Sequence, residues 1–183
     1  MDSSIVEHAL LVPQELPQRL YEPFMLFAPW QCEELIKYAQ TREMQQGIAG
    51  GKLQSDVRNN TVTWIDLHEL YWKWMALFEQ FDEADTLWLQ EPFQISSYSQ
   101  NQSYAWHRDD DVRKSNSTRT YTLTCTLASA PDAVFQTRTR TYDLEPGWAV
   151  IIPSAVEHRA TAPSSGERWS FTVWCMKRLN SIS

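Results

Sequence analysis

From Gln90 onward, apolar and polar residues alternate in short runs separated by Pro, Gly, Ser and Asp. Consecutive side chains of an extended backbone point to opposite sides, so a period of two belongs to strands that present two distinct faces. The pattern predicts strands at about 93–98, 103–107, 118–127, 134–137, 139–144, 148–152, 157–161 and 168–176. Short strands in this density fit an antiparallel double sheet and a mainly β fold. In Arg119 to Leu127 one face carries Tyr121, Leu123, Cys125 and Leu127 and the other carries threonines. The apolar face is expected to pack on helices, with Thr122, Thr124 and Thr126 looking into a cavity.

The helices must come from the first half of the chain. Residues 1–22 hold Pro13 and Pro17 among scattered charges without a sustained period, and Pro23 follows directly; they are read as an N-terminal arm leading into one domain over 23–183. Pro29 suits a first helical turn, and Cys32, Leu35, Ile36 and Ala39 then share one face, which predicts a helix to about Thr41. A loop rich in Gly and Gln is expected from Gln45 to Gln54. Asp66 with Glu69 resembles a capping box, and Leu67, Leu70, Tyr71, Trp74, Leu77, Phe78 and Phe81 recur at three and four, predicting a long amphipathic helix to near Asp82 that packs across a sheet. There is no internal repeat.

Bulk properties narrow the function classes. At 183 residues with 43% hydrophobic content, the chain is long enough for one real core. A net charge of −7 argues against a general nucleic-acid binder, because phosphate binding relies on neutralising Lys and Arg; it leaves room for a short basic groove. Cys32, Cys125 and Cys175 are odd in number and unrelated in spacing, and two lie in apolar strand patterns. Buried thiols in a reducing compartment are expected rather than a disulfide framework. No apolar run has transmembrane length and no basic, apolar signal sequence opens the chain, so no membrane partner and a cytoplasmic location are expected. The oligomeric state does not follow from the sequence.

Within the β region, His107 and Asp109 are two apart and so face the same side of an extended segment, while Arg108 points away. Two imidazoles and one carboxylate on one face of an octahedron hold Fe(II) and leave three positions open for reaction. A third ligand has to come from another strand. His158, after the strand-like Trp148 to Ile152, is the candidate, since His8 lies in the arm and His68 opens a predicted helix. Ten residues beyond, Arg168 and Ser170 share one face of an alternating run. A planar guanidinium beside a hydroxyl suits a carboxylate ligand.

The order His107-x-Asp109, His158, Arg168-x-Ser170 resembles the iron(II)- and 2-oxoglutarate-dependent dioxygenases, and within them the prolyl 4-hydroxylase-like branch. The resemblance runs on through Phe24 to Ala39, Val57 to Ile65, Phe93 to Tyr98, Tyr104, Pro153-Ser154 and Trp174. It implies a double-stranded β-helix of the jelly-roll, cupin-like kind with N-terminal helices packed on one sheet. His107, Asp109 and His158 would bind Fe(2+) and form the catalytic centre. Arg168, Ser170 and Tyr98 would hold 2-oxoglutarate, and O2 would be the second co-substrate, with ascorbate as an optional reductant. Halogenases of the superfamily lack the carboxylate ligand, so Asp109 points to hydroxylation of a C–H bond, with succinate and CO2 as co-products. Arg58 resembles a family arginine near the substrate entrance and equally suits a solvated loop. Departures occur at Ser99 to Ser103, where many relatives carry a glycine, at Ala133-Val134, where many carry a Gly-Gly pair, and near Thr126, where some carry a co-substrate tyrosine.

Three functions fit these residues: a hydroxylase of prolyl residues in a protein or peptide, a hydroxylase of a free amino acid or small metabolite, and a non-catalytic cupin-like metal-binding barrel. Trp106, Trp148 and Trp174 suit a core as well as a substrate wall. Asp110, Asp111 and Arg113 form a charged run that suits a solvated loop or a lid.

Overall fold

Strand alternation decides which side of the main sheet is dry. The computed structural model describes residues 8–10, 16–48, 54–66, 70–83, 86–89, 91–110, 113–114 and 117–178. Its strands are β1 (Phe24–Met25), β2 (Gln45–Gln46), β3 (Thr61–Ile65), β4 (Leu87–Trp88), β5 (Phe93–Tyr98), β6 (Tyr104–His107), β7 (Arg113–Lys114), β8 (Ser117–Ala128), β9 (Phe135–Thr137), β10 (Thr141–Tyr142), β11 (Trp148–Pro153), β12 (His158–Ala160) and β13 (Arg168–Arg178). A nine-stranded sheet runs β1-β11-β8-β13-β5-β3-β2, with β4 paired to β13 and β7 to β8. A four-stranded sheet runs β10-β9-β12-β6. All recorded pairings are antiparallel, and the whole is a double-stranded β-helix of mainly β character.

On β13, Trp169, Phe171, Val173 and Cys175 enter the main core, while Arg168, Ser170, Thr172 and Trp174 line a cavity. On β5, Phe93 and Ile95 enter the core, while Gln94, Ser96 and Tyr98 line that cavity. β8 divides the same way, with Leu123, Cys125 and Leu127 against Thr122 and Thr124; Thr126 is buried but does not line the cavity, because Ser170 pairs with it beside a register shift in β13. The apolar run of β11 is covered on both sides: Ala149 and Ile151 belong to the main core, and Val150 and Ile152 join Phe135, Tyr142 and Leu144 in a second cluster between the sheets.

The helical layer covers the dry face. Helix α1 (Pro29–Gln40) opens at Pro29, and the Gln31 side chain accepts from the Ala28 N–H at 2.8 Å while donating to the Ala9 carbonyl at 2.6 Å. Cys32, Leu35 and Ala39 face the core as expected. Ala9 and Leu10, in the segment read as an arm, are buried in that core, and Trp74 donates to the Leu10 carbonyl at 3.2 Å.

The second helix departs from expectation. Instead of running from Asp66 to Asp82, α2 spans only Tyr71–Met75 and tightens into i→i+3 turns, Leu77 to Trp74, Phe78 to Met75 and Phe81 to Phe78. Aromatic residues are weak helix formers, and here the tighter turns still send Leu77 and Phe78 into the core. Glu69 of the expected capping box lies outside the described residues, as do Leu67, His68 and Asp111. Five strands were not anticipated: four are two-residue pieces too short to show a period, Gln45–Gln46 among them in the expected loop, and the fifth is β3. The strand expected at 139–144 is confined to Thr141–Tyr142, because Thr137 and Arg140 close a tight turn through N–H bonds at 2.9 and 3.1 Å. Among the described residues, no helix is long and apolar enough to cross a membrane.

Candidate metal centre

His107 on β6 pairs directly with His158 on β12, so two residues far apart in sequence stand opposite each other. Each ring rests its Nδ1 on a carbonyl two residues back in its own chain, Ala105 and Val156, both at 2.8 Å. A carbonyl can only accept, so Nδ1 carries the proton and Nε2 is left bare for a metal. Asp109 follows β6, its N–H donating to the Ser154 carbonyl at 2.9 Å, and its carboxylate reaches both rings: His107 Nε2 to Oδ1 is 3.6 Å and His158 Nε2 to Oδ2 is 3.3 Å. One ligand atom from each of the three lies within 4.8 Å of the others. Two imidazole nitrogens and one carboxylate oxygen are the donor set that ferrous ion takes in a facial triad.

Asp109 is oriented by neighbours that the sequence reading did not assign to it. Oδ2 accepts from Thr122 Oγ1 at 2.8 Å and from Trp174 Nε1 at 2.9 Å. Arg119 stacks over the Trp174 ring at 3.8 Å, holds one nitrogen 3.8 Å from Asp109 Oδ1, and is itself paired with buried Glu91. Burial alone would raise the Asp109 carboxyl, yet the His158 hydrogen bond and the nearby His107 and Arg119 hold it well below the usual carboxylate range. His158 moves the opposite way: burial lowers it, but its bond to Asp109 raises it on balance. His107 is pushed down to about 4, first by burial and then by the neighbouring His158. The two rings therefore shift in opposite directions, His107 towards its neutral form and His158 towards its protonated one. Tyr104 stacks on His107 with centroids 3.4 Å apart, and burial pushes its hydroxyl up to about 12.

Deeper in the same cavity, Arg168 pairs with Tyr98 and Ser170 with Ser96 across β13 and β5. Arg168 is 2% exposed, and among the described residues no carboxylate pairs with it. Burial lowers its pKa, so the guanidinium is held out of water with no anion beside it. Arg58 also lines the cavity, but as a buried wall residue whose three nitrogens are all engaged. It donates to Asn60 Oδ1 at 2.8 Å, Gln94 Oε1 at 2.8 Å and the Ile48 carbonyl at 3.2 Å, and it lies over the Tyr104 ring at 4.5 Å.

Within the departing stretch Ser99 to Ser103, Asn101 takes φ 66°, and asparagine tolerates the left-handed region where a glycine would otherwise serve.

Residues 93–176 match the family model described as the 2OG-Fe(II) oxygenase superfamily, a span that contains all three candidate ligands together with Arg168 and Ser170. Residues 93–176 are a 2OG-Fe(II) oxygenase domain. The protein is accordingly a dioxygenase that uses Fe(2+), 2-oxoglutarate and O2. No curated protein sequence matches the chain. Among solved structures, the viral collagen prolyl hydroxylase of Paramecium bursaria Chlorella virus-1 is similar at TM-score 0.67 and 19% identity, covering 87% of this chain and 97% of that one. A Pseudomonas putida prolyl-4-hydroxylase is similar at TM-score 0.65 and 16% identity, covering 96% and 98%. A prolyl hydroxylase from Trichoplax adhaerens, solved with a hypoxia inducible factor oxygen degradation domain peptide fragment, is similar at TM-score 0.62 and 13% identity, covering 96% and 91%.

Thr122 and Trp174 were within reach of the sequence. Alternation placed Thr122 on the cavity face, and Trp174 is six residues from Arg168, an even spacing that puts both on one face. Arg119 had no such signal.

Proposed function

We propose that this dioxygenase hydroxylates a prolyl residue of a protein or peptide, releasing succinate and CO2 from 2-oxoglutarate. The observation that carries the co-substrate assignment is Arg168, a buried cation with no carboxylate paired to it among the described residues, on the wall of the cavity that holds the His-Asp-His cluster. His107, Asp109 and His158 would hold the iron, which supplies the oxidation of an unactivated C–H bond. Arg168 would bind the far carboxylate of 2-oxoglutarate through its fork of N–H donors, and the hydroxyls of Ser170 and Tyr98 would donate to the same group. Trp174 and Thr122 would keep one Asp109 oxygen occupied and the other turned to the metal. Arg58, with an acceptor on each of its nitrogens, would shape the substrate wall rather than change partners.

The prolyl assignment rests on the fold shared with three prolyl hydroxylases over most of the chain. A peptide is favoured over a free metabolite because wall residues of the cavity, Tyr104, Arg159 and Ala160, also line a surface groove beside Trp106. The three buried free thiols fit a reducing, cytoplasmic compartment.

The test is 2-oxoglutarate decarboxylation with iron(II) and ascorbate, run in parallel on proline-containing peptides and on free amino acids, with His107→Ala as control. Peptide-stimulated succinate release, together with one added oxygen on a proline and loss of both in the variant, is the expected result. Stimulation by free amino acids alone would overturn the peptide reading.

A further inference from the structure

The outer side of the small sheet carries a charge pattern opposite to that of the whole chain. The protein has 16 Lys and Arg against 23 Asp and Glu. Yet one groove is lined by Arg138, Arg140 and Arg159 together with Trp106 and Gln136. The guanidinium carbons of Arg138 and Arg159 lie over the Trp106 ring at 3.9 and 4.8 Å. Gathering two like charges at one indole is unfavourable unless an anion shares the site, whereas the stacking itself keeps both planar forks ordered.

Each of these arginines uses little of its donor capacity. Arg159 donates Nε to Gln136 at 2.7 Å, Arg140 donates Nη1 to the Tyr21 carbonyl at 3.0 Å, and Arg138 donates Nε to exposed Glu157 at 2.8 Å. A guanidinium has five N–H groups, so most of the donors are left for a ligand. Among the described residues no carboxylate pairs with Arg140 or Arg159. Among the described residues, Glu157 is the single acid paired into this groove.

Arg159 also connects the groove to the chemistry. It lines the metal cavity, the groove beside Trp106 and the outer basic groove alike, and it directly follows the candidate ligand His158. We infer that the Arg138–Trp106–Arg159 ledge is a recognition site for an acidic side chain of the peptide substrate, so that the enzyme selects segments carrying Asp or Glu near the oxidised residue. This rests on the peptide reading given above. Because Arg159 lines both the metal cavity and the ledge, an extended peptide advancing about 3.3 Å per residue from one to the other places a residue a few positions from the reacting one over the ledge. Carboxylate matches the paired N–H geometry, and a chain of net charge −7 disfavours a long polyanion as the partner.

The experiment compares matched proline peptides that differ only as Asp or Glu against Asn or Gln, with hydroxylation kinetics measured on the wild-type enzyme, on the Arg138→Gln/Arg159→Gln double variant, and on the Arg138→Glu/Arg159→Glu variant. The wild type is expected to show a KM about fivefold or more lower for the acidic member, a preference that weakens with salt, as partly exposed charge pairs do. The glutamine double variant should lose the difference, Arg138→Gln alone, at a residue that does not line the metal cavity, should narrow it while keeping its kcat on the neutral peptide, and the glutamate variant should prefer Lys-flanked peptides, a reversal that misfolding cannot produce. Hydroxylation of both peptide types with equal KM in the wild type overturns this inference and leaves the peptide reading standing. Absence of hydroxylation on every peptide, with free amino acids turned over, removes the peptide reading and this inference together. A single-stranded oligonucleotide that competes better than the acidic peptide identifies a different partner class and overturns it as well.

Discussion

The indole N–H of Trp174 donates to Oδ2 of Asp109 at 2.9 Å, linking the far end of β13 to a candidate metal ligand 65 residues earlier. Thr122 bonds the same oxygen, so the carboxylate presents Oδ1 with its other lone pairs already engaged. Trp174→Phe keeps most of the ring packing and removes one donor. Partners of this kind are worth roughly 10–100-fold in metal affinity or activity. A titration of the apoprotein with Fe(II) or Mn(II) should weaken within that range, and Thr122→Val/Trp174→Phe should weaken it further. Unchanged affinity in the double variant would show that Asp109 needs neither bond.

Arg168 should trade stability for ligand binding. Its charge is buried with no carboxylate paired to it among the described residues, which is costly to the empty protein, whereas a bound dicarboxylate would turn that cost into paired hydrogen bonds. Arg168→Met is therefore expected to raise the melting temperature of the ligand-free protein slightly. The same variant should weaken 2-oxoglutarate on the order of 100-fold, the scale of losing charge-assisted bonds. Thermal unfolding with and without 2-oxoglutarate reads both effects; a lower melting temperature with normal ligand stabilisation contradicts the assignment.

Metal binding should release a proton at mildly acidic pH. His158 is raised above its ordinary value by Asp109, while His107 is pushed down to about 4 and is already neutral. A metal takes the unprotonated ring, so it must displace the His158 proton whenever the pH lies below that raised value. Apparent affinity should fall about tenfold per pH unit beneath it, and a second proton should join only near pH 4. Calorimetry in buffers of different ionisation enthalpy counts the released protons directly. A pH-independent affinity between pH 5 and 7 would contradict the coupling.

Gly47 makes room for Arg58. A Cβ at this position would stand 2.5 Å from Arg58 Nε and 2.5 Å from Asn60 Oδ1, closer than any side chain tolerates. Gly47→Ala should destabilise the protein by about 1–3 kcal/mol, the usual cost of overpacking. It should also raise the KM for substrate, since Arg58 lines the cavity. Chemical denaturation and steady-state kinetics test the two halves separately.

Most β-strands of the catalytic half were legible because each divides its residues between a core and a cavity. β5, β8 and β13 alternate cleanly, so their faces, and hence the shared side of Arg168 and Ser170, followed from spacing alone. The helix α2 misled because a three-four repeat of Leu, Trp and Phe satisfies both an α-helix and a chain of tighter turns. Arg58 stayed open between two readings for a different reason. Nothing local distinguishes an arginine in a loop from one buried against Gln94 and Asn60, since those partners become neighbours only after β3 pairs with β5.

Local periodicity in the sequence determined which residues share a face: His107 with Asp109, Arg168 with Ser170, the threonines of β8 away from its apolar side. A period of two is imposed by backbone geometry and needs no partner. What the tertiary structure alone decided is which faces meet. The pairing of β6 with β12 brings His158 to His107, β8 and β13 deliver Thr122 and Trp174 to Asp109, and the absence of any acid beside Arg168 among the described residues becomes visible only inside the closed cavity. Those contacts depend on sheet order and burial, which act across tens of residues and leave no trace in neighbouring letters.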